Sequence, residues 1–324
     1  MRFKHITHAA ATLALALGFG VAQAQDYPNR PIRVIAPFPA GSGPDVNARE
    51  MAAKLTPLLG QTVIVENRPG AAGAIGTDAA AKAAPDGYTL YIGTTSTLSI
   101  VPYIYSKLTF NAERDFTPIS LMGVLNTGLI AHPSVPVQSV AELIDYAKSR
   151  PGQVAYASQG NGSSGHLAME LLCSMAGISM IHIPYRGSAP ALTDLIGGRV
   201  QFMFDNTTSS LPQVARGALK AIAVAERERL KAAPNIPTVQ ESGLRDFEAT
   251  PWFGVVTRAG TPRESIERLS AAITQAVNRP EVQARFAPLG VELRGTTPAA
   301  FAAHIASELV KWERIVKLSG AKLD

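Results

Sequence analysis

Two glycine-rich segments carry the residue types best suited to chemistry: Phe38-Pro39-Ala40-Gly41-Ser42-Gly43-Pro44-Asp45 and Gln159-Gly160-Asn161-Gly162-Ser163-Ser164-Gly165-His166. What both offer is main chain. Glycine lets the backbone turn sharply and approach a ligand closely. Where such a turn feeds a helix, several N–H groups stay free with a partial positive charge behind them, which is an anion site made of backbone. Hydroxyls and one acid–amide pair extend the set, with Thr95 and Ser96 after one apolar run and Asp205-Asn206 after another.

The surrounding elements decide whether these groups can meet. Ile32–Ala36 is short, apolar and β-branched, as a buried strand should be. After the first glycine segment, Ala48, Met51, Ala52, Leu55 and Leu59 recur at helical spacing, and Pro44 suits a first helical position. The second segment repeats the plan. Val154–Ser158 reads as a strand ending in Ser158, and Leu167, Leu171, Leu172 and Met175 mark a helix that Gly177 stops. Each unit then runs into a further strand and corner, Val63–Gly70 in the first and Ile181–Gly187, with Tyr185, in the second. Alternating strands and helices predict mainly parallel sheets, with ligands beyond the carboxyl ends of the strands. Tyr88–Ile92 leads to Thr95 and Ser96, and Val200–Phe204 leads to Asp205 and Asn206, so both pairs fall on that rim. Plain βα turns, and hydroxyls that merely cap a helix, fit the same residues.

Other chemistries fit worse. Gly160-x-Gly162-x-x-Gly165 matches a dinucleotide fingerprint, but the next strand ends His182-Ile183-Pro184-Tyr185 without the acid that should hold the ribose. Ser163, His166 and Asp205 lack the nucleophile-elbow context of a hydrolase triad. The six histidines, at 5, 8, 132, 166, 182 and 304, have no metal-ligand spacing, and there is no cysteine pair. No cofactor and no metal are expected.

Residues 1–24 read as a secretory signal peptide. Arg2 and Lys4 come first, an apolar run from Ala9 to Val21 follows, and Ala22-Gln23-Ala24 is the cleavage site, which predicts export to the periplasm. The formal net charge is +5, but the basic residues are interleaved with acids, as in Glu226-Arg227-Glu228-Arg229, so a nucleic-acid face is not expected. The single cysteine, Cys173, lies on the apolar side of its helix and reads as a small buried hydrophobe. Capping boxes are expected at Ser139/Glu142, Thr238/Glu241 and Thr261/Glu264, the last with Pro262 as first helical residue. Thr297-Pro298 should open a last long helix.

Taken together, several motifs resemble one family. They are Val34-Ile35-Ala36-Pro37-Phe38-Pro39-Ala40-Gly41 with Asp45, Glu66-Asn67-Arg68-Pro69-Gly70, Pro85-Asp86-Gly87-Tyr88-Thr89-Leu90, Gly160-Asn161-Gly162-Ser163 with His166, His182-Ile183-Pro184-Tyr185-Arg186-Gly187, and Trp252-Phe253-Gly254. From about Tyr27 onward the chain is similar to the Bug-type, TctC-like solute-binding receptors of tripartite tricarboxylate transporters. That resemblance implies an α/β, two-lobed periplasmic-binding-protein fold of type II-like design, with two Rossmann-like lobes around a ligand cleft. It divides the chain into lobe 1 (25–124 plus 226–324) and lobe 2 (125–225). It implies a small carboxylate ligand held by main-chain groups and ordered waters from Ala40–Asp45 and Asn161–His166, with Thr95 and Asp205 toward the ligand's far end. Phe38, Ser96, Ser158, Tyr185 and Asn206 complete the candidate ligand-binding residues. Ser42 stands where many relatives have glycine. The partners implied are the small and large membrane subunits of the transporter, with the receptor a monomer and not an enzyme. A receptor that presents its ligand to a membrane sensor, or an exported enzyme acting on a small carboxylate, are the alternatives.

Overall fold

A computed structural model describes residues 27–321, so the expected signal peptide lies outside the described residues. The chain forms two sheets, one of six strands and one of five.

The first sheet begins with β1 (Ile32–Ala36), helix α1 (Gly43–Leu59), β2 (Val63–Asn67), α2 (Ala74–Ala81) and β3 (Thr89–Thr94). A π-helical turn over Thr95–Ile100 runs into the one-turn α3 (Val101–Ile104). Then β4 (Phe116–Leu125) leads through the single residue Asn126 into β5 (Thr127–Ala131), which belongs to the other sheet. The second sheet adds α4 (Val140–Lys148), β6 (Ala155–Ser158), α5 (Ser164–Ala176), β7 (Ile181–Pro184), α6 (Ser188–Ile196), β8 (Phe202–Asn206), α7 (Thr207–Ala215) and β9 (Lys220–Val224). The chain returns through β10 (Trp252–Arg258), α8 (Arg263–Val277), α9 (Pro280–Phe286), β11 (Val291–Leu293) and α10 (Pro298–Ser319).

The strand orders are β11-β4-β10-β3-β1-β2 and β7-β6-β8-β5-β9. β1 pairs in parallel with β2 and β3, and β6 with β7 and β8. The strands that run against this direction are β5, β10 and β11. Two of them, β5 and β10, are the first strands after each crossing between sheets. Parallel βαβ units therefore build each sheet, and the crossings insert the reversed strands.

Burial follows the sequence pattern. Ile32, Val34, Leu90, Ile92, Phe253 and Ile273 close one face of the first sheet, and Ile35, Tyr91, Trp252 and Phe301 the other. Leu129, Tyr156, Leu167, Phe202 and Phe204 pack on one face of the second, with Ala157, Met203 and Leu195 on the other. At 22 residues, α10 is about 33 Å long and serves both units. Its Phe301, Ile305 and Leu309 pack with the first sheet, while Trp312, Ile315 and Val316 pack with the second. Cys173 is buried, and burial pushes its thiol up to about 12, which leaves it inert at neutral pH.

Two expected caps differ. Pro262 is itself the N-cap of α8, because the Thr261 hydroxyl donates back to the Arg258 carbonyl at 2.7 Å and is not available to the helix. Thr238 and Glu241 do exchange reciprocal hydrogen bonds at 3.0 and 2.9 Å, but they close a turn and no helix follows. Ser139 caps α4 and Thr297 caps α10, but the box expected at Ser139/Glu142 is only half made, because the Glu142 carboxylate accepts the Gln138 N–H at 2.6 Å instead of that of Ser139.

Candidate functional site

The first glycine loop leaves the carboxyl end of β1 and is fixed from below by one acid. Gly41 has φ 79°, a conformation glycine reaches without steric cost. Its N–H donates to Asp45 Oδ2 at 2.8 Å, while Asn67 Nδ2 donates to Asp45 Oδ1 at 2.7 Å and to the Phe38 carbonyl at 3.1 Å. Arg49 completes the lock through Asp45 and Asn67. Burial opposes ionisation of Asp45, but the bonds from Asn67, Arg49 and Gly41 outweigh it and hold the carboxyl below its usual range. Asp45 is thereby committed to the loop, and its side chain does not line the cavity described below.

The second loop is fixed by two neutral histidines. Gly160 N–H donates to Ser158 Oγ at 3.2 Å, and Ser158 Oγ lies 2.6 Å from His182 Nε2. Gly162, at φ 75°, donates its N–H to His166 Nδ1 at 3.2 Å. The His166 and His182 rings stack with centroids 4.0 Å apart, and His182 stacks in turn on Tyr156. Burial, with His182 alongside, depresses His166 to about 3, and burial depresses His182 to about 4. His166 and Ser158 therefore shape the loop from behind. His166 packs locally and does not reach the cleft.

Asp205 plays the corresponding part for α6. It is fully buried, and its carboxylate accepts from Gln159 Nε2 at 2.7 Å, Ser188 Oγ at 2.6 Å and Ser209 Oγ at 2.5 Å. Burial pushes its carboxyl above the usual range, against the pull of these donors. The expectation that Asp205 faces the far end of a ligand is not what the geometry shows: Gln159 and Ser188 stand in front of it. Gly165 makes room for this arrangement, since a Cβ there would collide with Gln159 Oε1 and the Phe204 carbonyl.

Between the two sheets these loops border a cavity with two connected chambers. The outer one is about 630 Å³ and the inner about 60 Å³, and they share Phe38, Pro39, Ser96, Gln159, Ser163 and Gly187. The inner chamber is reached by Ser42, Thr95, Ser164, Ser188, Asn206 and Trp252. The first five stand at the starts of α1, the π-helical turn, α5, α6 and α7, and Trp252 begins β10, so several helix N-termini converge on a space with no charged side chain in its wall. Three buried polar atoms of its lining residues, Ser42 Oγ, Gln159 Oε1 and Trp252 Nε1, have no hydrogen-bond partner among the described residues. Such groups normally find one.

Of the sequence-predicted residues, Phe38, Ser42, Thr95, Ser96, Asn161, Ser163, Tyr185 and Asn206 line a chamber. Ala40, Gly41, Asp45, Ser158, Gly162, His166 and Asp205 do not. Gly43 begins α1. The lining residues missing from the prediction are chiefly Gln159, Gly187, Ser188, Trp252 and the Gly70–Gly73 turn. Of these, Gly187-Ser188 had the same strand–glycine–helix signature as the two loops that were singled out.

The model of the tripartite tricarboxylate transporter family receptor matches residues 47–321 of this chain. The chain belongs to that family. Its similarity extends to the protein BugT of Bordetella pertussis, 39% identical over 301 residues, 93% of this chain and 92% of the relative. A protein of R. palustris solved with adipate superposes with a TM-score of 0.88 at 34% identity, covering 92% of this chain and 100% of that one. MatC from Rhodopseudomonas palustris, solved with bound malate, gives a TM-score of 0.85 at 31% identity over 90% of this chain and 100% of the other. The fold of this receptor is thus the two-lobed α/β periplasmic-binding-protein fold of Bug-type, TctC-like proteins, a family of solute receptors. Among the described residues, no helix is long and apolar enough to cross a membrane, and no group of three or more His, Cys, Asp or Glu side chains could hold a metal.

Proposed function

We propose that this receptor captures a small carboxylate in the periplasm and delivers it to the small and large membrane subunits of a tripartite transporter. The observation that carries the reading is the inner chamber, where the starts of several helices border a space lined by hydroxyls and without charged side chains. Helix N-termini and hydroxyl donors suit an anion, and no carboxylate lines the chamber to balance a cation. The adipate and malate bound by two structural neighbours agree with it.

Magnitudes call for both loops at once. One helix N-terminus is worth about 0.3–1 kcal/mol to an anion, up to about 2 when partly buried. Micromolar affinity needs about 8 kcal/mol. Charge-assisted hydrogen bonds of about 1.5–3 kcal/mol each, drawn from both loops in a closed cleft, reach that sum. The ligand's carboxylate is therefore held by main-chain groups, hydroxyls and ordered waters from Phe38–Gly43 and Asn161–Ser164, with Thr95 and Asn206 nearby. Asp205, His166, Ser158 and Asp45 act as positioning residues behind them.

The lobes are 25–124 with 250–324, and 125–249: the boundary expected at 226 moves because Val239, Phe247 and Ala249 pack in the core of the second sheet, and the lobes hinge where the chain crosses near Asn126 and Thr250. The receptor is a monomer exported by its signal peptide, cleaved after Ala24, and, like the receptors of its family, it binds its ligand without turning it over. Calorimetric screening against di- and tricarboxylates, acidic amino acids and aromatic acids tests the reading. Binding of at least one of these anions is expected. Binding only of neutral sugars or of cations would overturn it.

A further inference from the structure

The chain crossings between the sheets separate two cavities. Leu125, Pro251 and Trp252 border the inner chamber, while their neighbours Val124, Asn126 and Thr250 border a further cavity of about 480 Å³. Successive residues of extended chain point opposite ways, so the crossings form the partition. This further cavity is walled by charge, and most of that charge is paired. Lys311 pairs with Glu308 at 2.5 Å and with Glu248 at 3.8 Å, and Arg227 also pairs with Glu248 at 2.7 Å. Arg229 pairs with Glu241 at 2.8 Å and Arg294 with Glu292 at 3.2 Å. Without an ion-pair partner among the described residues are Glu226, Glu228 and Lys231.

Glu226 is 8% exposed, and its Oε1 accepts the Thr127 N–H at 2.8 Å. Its Oε2 has no partner among the described residues, and neither has Nε2 of His304 in the same wall. Buried polar atoms normally find one. Burial, with Glu248 adding to it, favours the uncharged carboxyl of Glu226 and pushes it up to about 8. Burial also lowers His304, which stays neutral at pH 7. The buried part of the wall therefore offers two acceptors for a donor, and Lys231 stands exposed with a free positive charge.

We propose that this cavity is a second binding site, for a small zwitterion whose ammonium group donates to Glu226 Oε2 and His304 Nε2 and whose carboxylate reaches Lys231. A plain amine would leave Lys231 unanswered, and a plain carboxylate would bring no donor to His304. Glu226 releases its proton to solvent as the ammonium arrives, so binding is linked to proton release. The site is separate from the anion chamber and independent of the carboxylate reading.

The test is calorimetric titration at pH 7 with glycine, β-alanine, γ-aminobutyrate and 6-aminohexanoate, each in two buffers of different ionisation enthalpy. At least one should bind wild type with release of close to one proton. Glu226→Gln keeps the acceptor for Thr127 N–H; it should abolish the release and weaken binding at least about tenfold, as expected for the loss of a charge-assisted contact. Lys231→Gln should weaken binding several-fold and leave the release unchanged. Butyrate, which lacks the ammonium, should release no proton. Gly162→Val, which alters the anion chamber, should leave zwitterion binding and its proton release intact. The proposal is overturned if no zwitterion binds with proton release, or if the release persists in Glu226→Gln. Loss of the release in Gly162→Val would place the zwitterion in the anion chamber and overturn it as well.

Discussion

The Ser96 hydroxyl accepts the backbone N–H of Ser164 at 3.2 Å, so a side chain following the first sheet's β3 caps a helix of the second. The bond sits where the outer and inner chambers meet. It ties one of the amides expected to serve an anion to the hydroxyl rim of the opposite lobe.

Ser96→Ala should therefore loosen the two lobes without unfolding either. The lost cap is worth about 1 kcal/mol, and ligand affinity should fall several-fold while the melting temperature changes little. Small-angle scattering of the ligand-free variant should give a radius of gyration no smaller than that of wild type. Unchanged affinity would show that the Ser96–Ser164 contact is incidental to binding.

Gly162 holds φ 75° and donates its N–H to His166. A β-branched residue cannot adopt that backbone without strain. Gly162→Val should displace the second loop and lower affinity by about 2 kcal/mol or more, since the anion needs both loops. Circular dichroism should still show a folded protein. Normal binding by this variant would place the ligand on the first lobe alone.

Asp205 gathers three donors in a fully buried position. Asp205→Asn turns an acceptor into a donor facing donors, at a cost of about 1–3 kcal/mol of stability. The order of preference among plain, hydroxy and amino dicarboxylates should stay the same, because Gln159 and Ser188 separate the residue from the cavity. A changed order would mean that Asp205 touches the ligand.

Two buried sites give opposite pH slopes. Neutral His166 and His182, depressed to about 3 and 4, bind protons more weakly folded than unfolded, so they lose stability as pH falls from about 6.5 toward 4. The folded state keeps His166 neutral until about pH 3, so the acceptor for Gly162 N–H, and ligand affinity with it, should be lost only near that pH. Glu226 behaves the other way. It is 8% exposed, accepts the Thr127 N–H at 2.8 Å at a crossing between the sheets, and burial pushes it up to about 8. The folded state holds that proton more tightly, so stability declines as pH rises from about 4.5 to 8. Glu226→Gln should flatten the alkaline side of a melting-temperature profile and leave the acid side unchanged. A parallel shift across the whole range would assign the effect to packing.

The glycine loops, the hydroxyl rim and the α/β plan were legible because each depends on local spacing, with strand, glycine and helix within about fifteen residues. The fates of the acids were not. Asp45 and Asp205 look alike in sequence as strand- or helix-end carboxylates beside an anion site. Only the fold brings Asn67 and Arg49 to one, and Gln159 and Ser188 to the other. Trp252 reaches the inner chamber from beyond the second crossing, and its place depends on β10 inserting between β3 and β4. No local pattern announces that insertion. The helix α10 was expected, but its division between two cores follows from how the lobes sit together.

The central claim is that one carboxylate is gripped by both loops at the inner chamber. A crystal structure of the receptor grown with adipate tests it most directly. The predicted result is a carboxylate within hydrogen-bond distance, directly or through one water, of groups from both Phe38–Gly43 and Asn161–Ser164. Ligand density confined to one lobe, or lying outside the two chambers, would contradict the account.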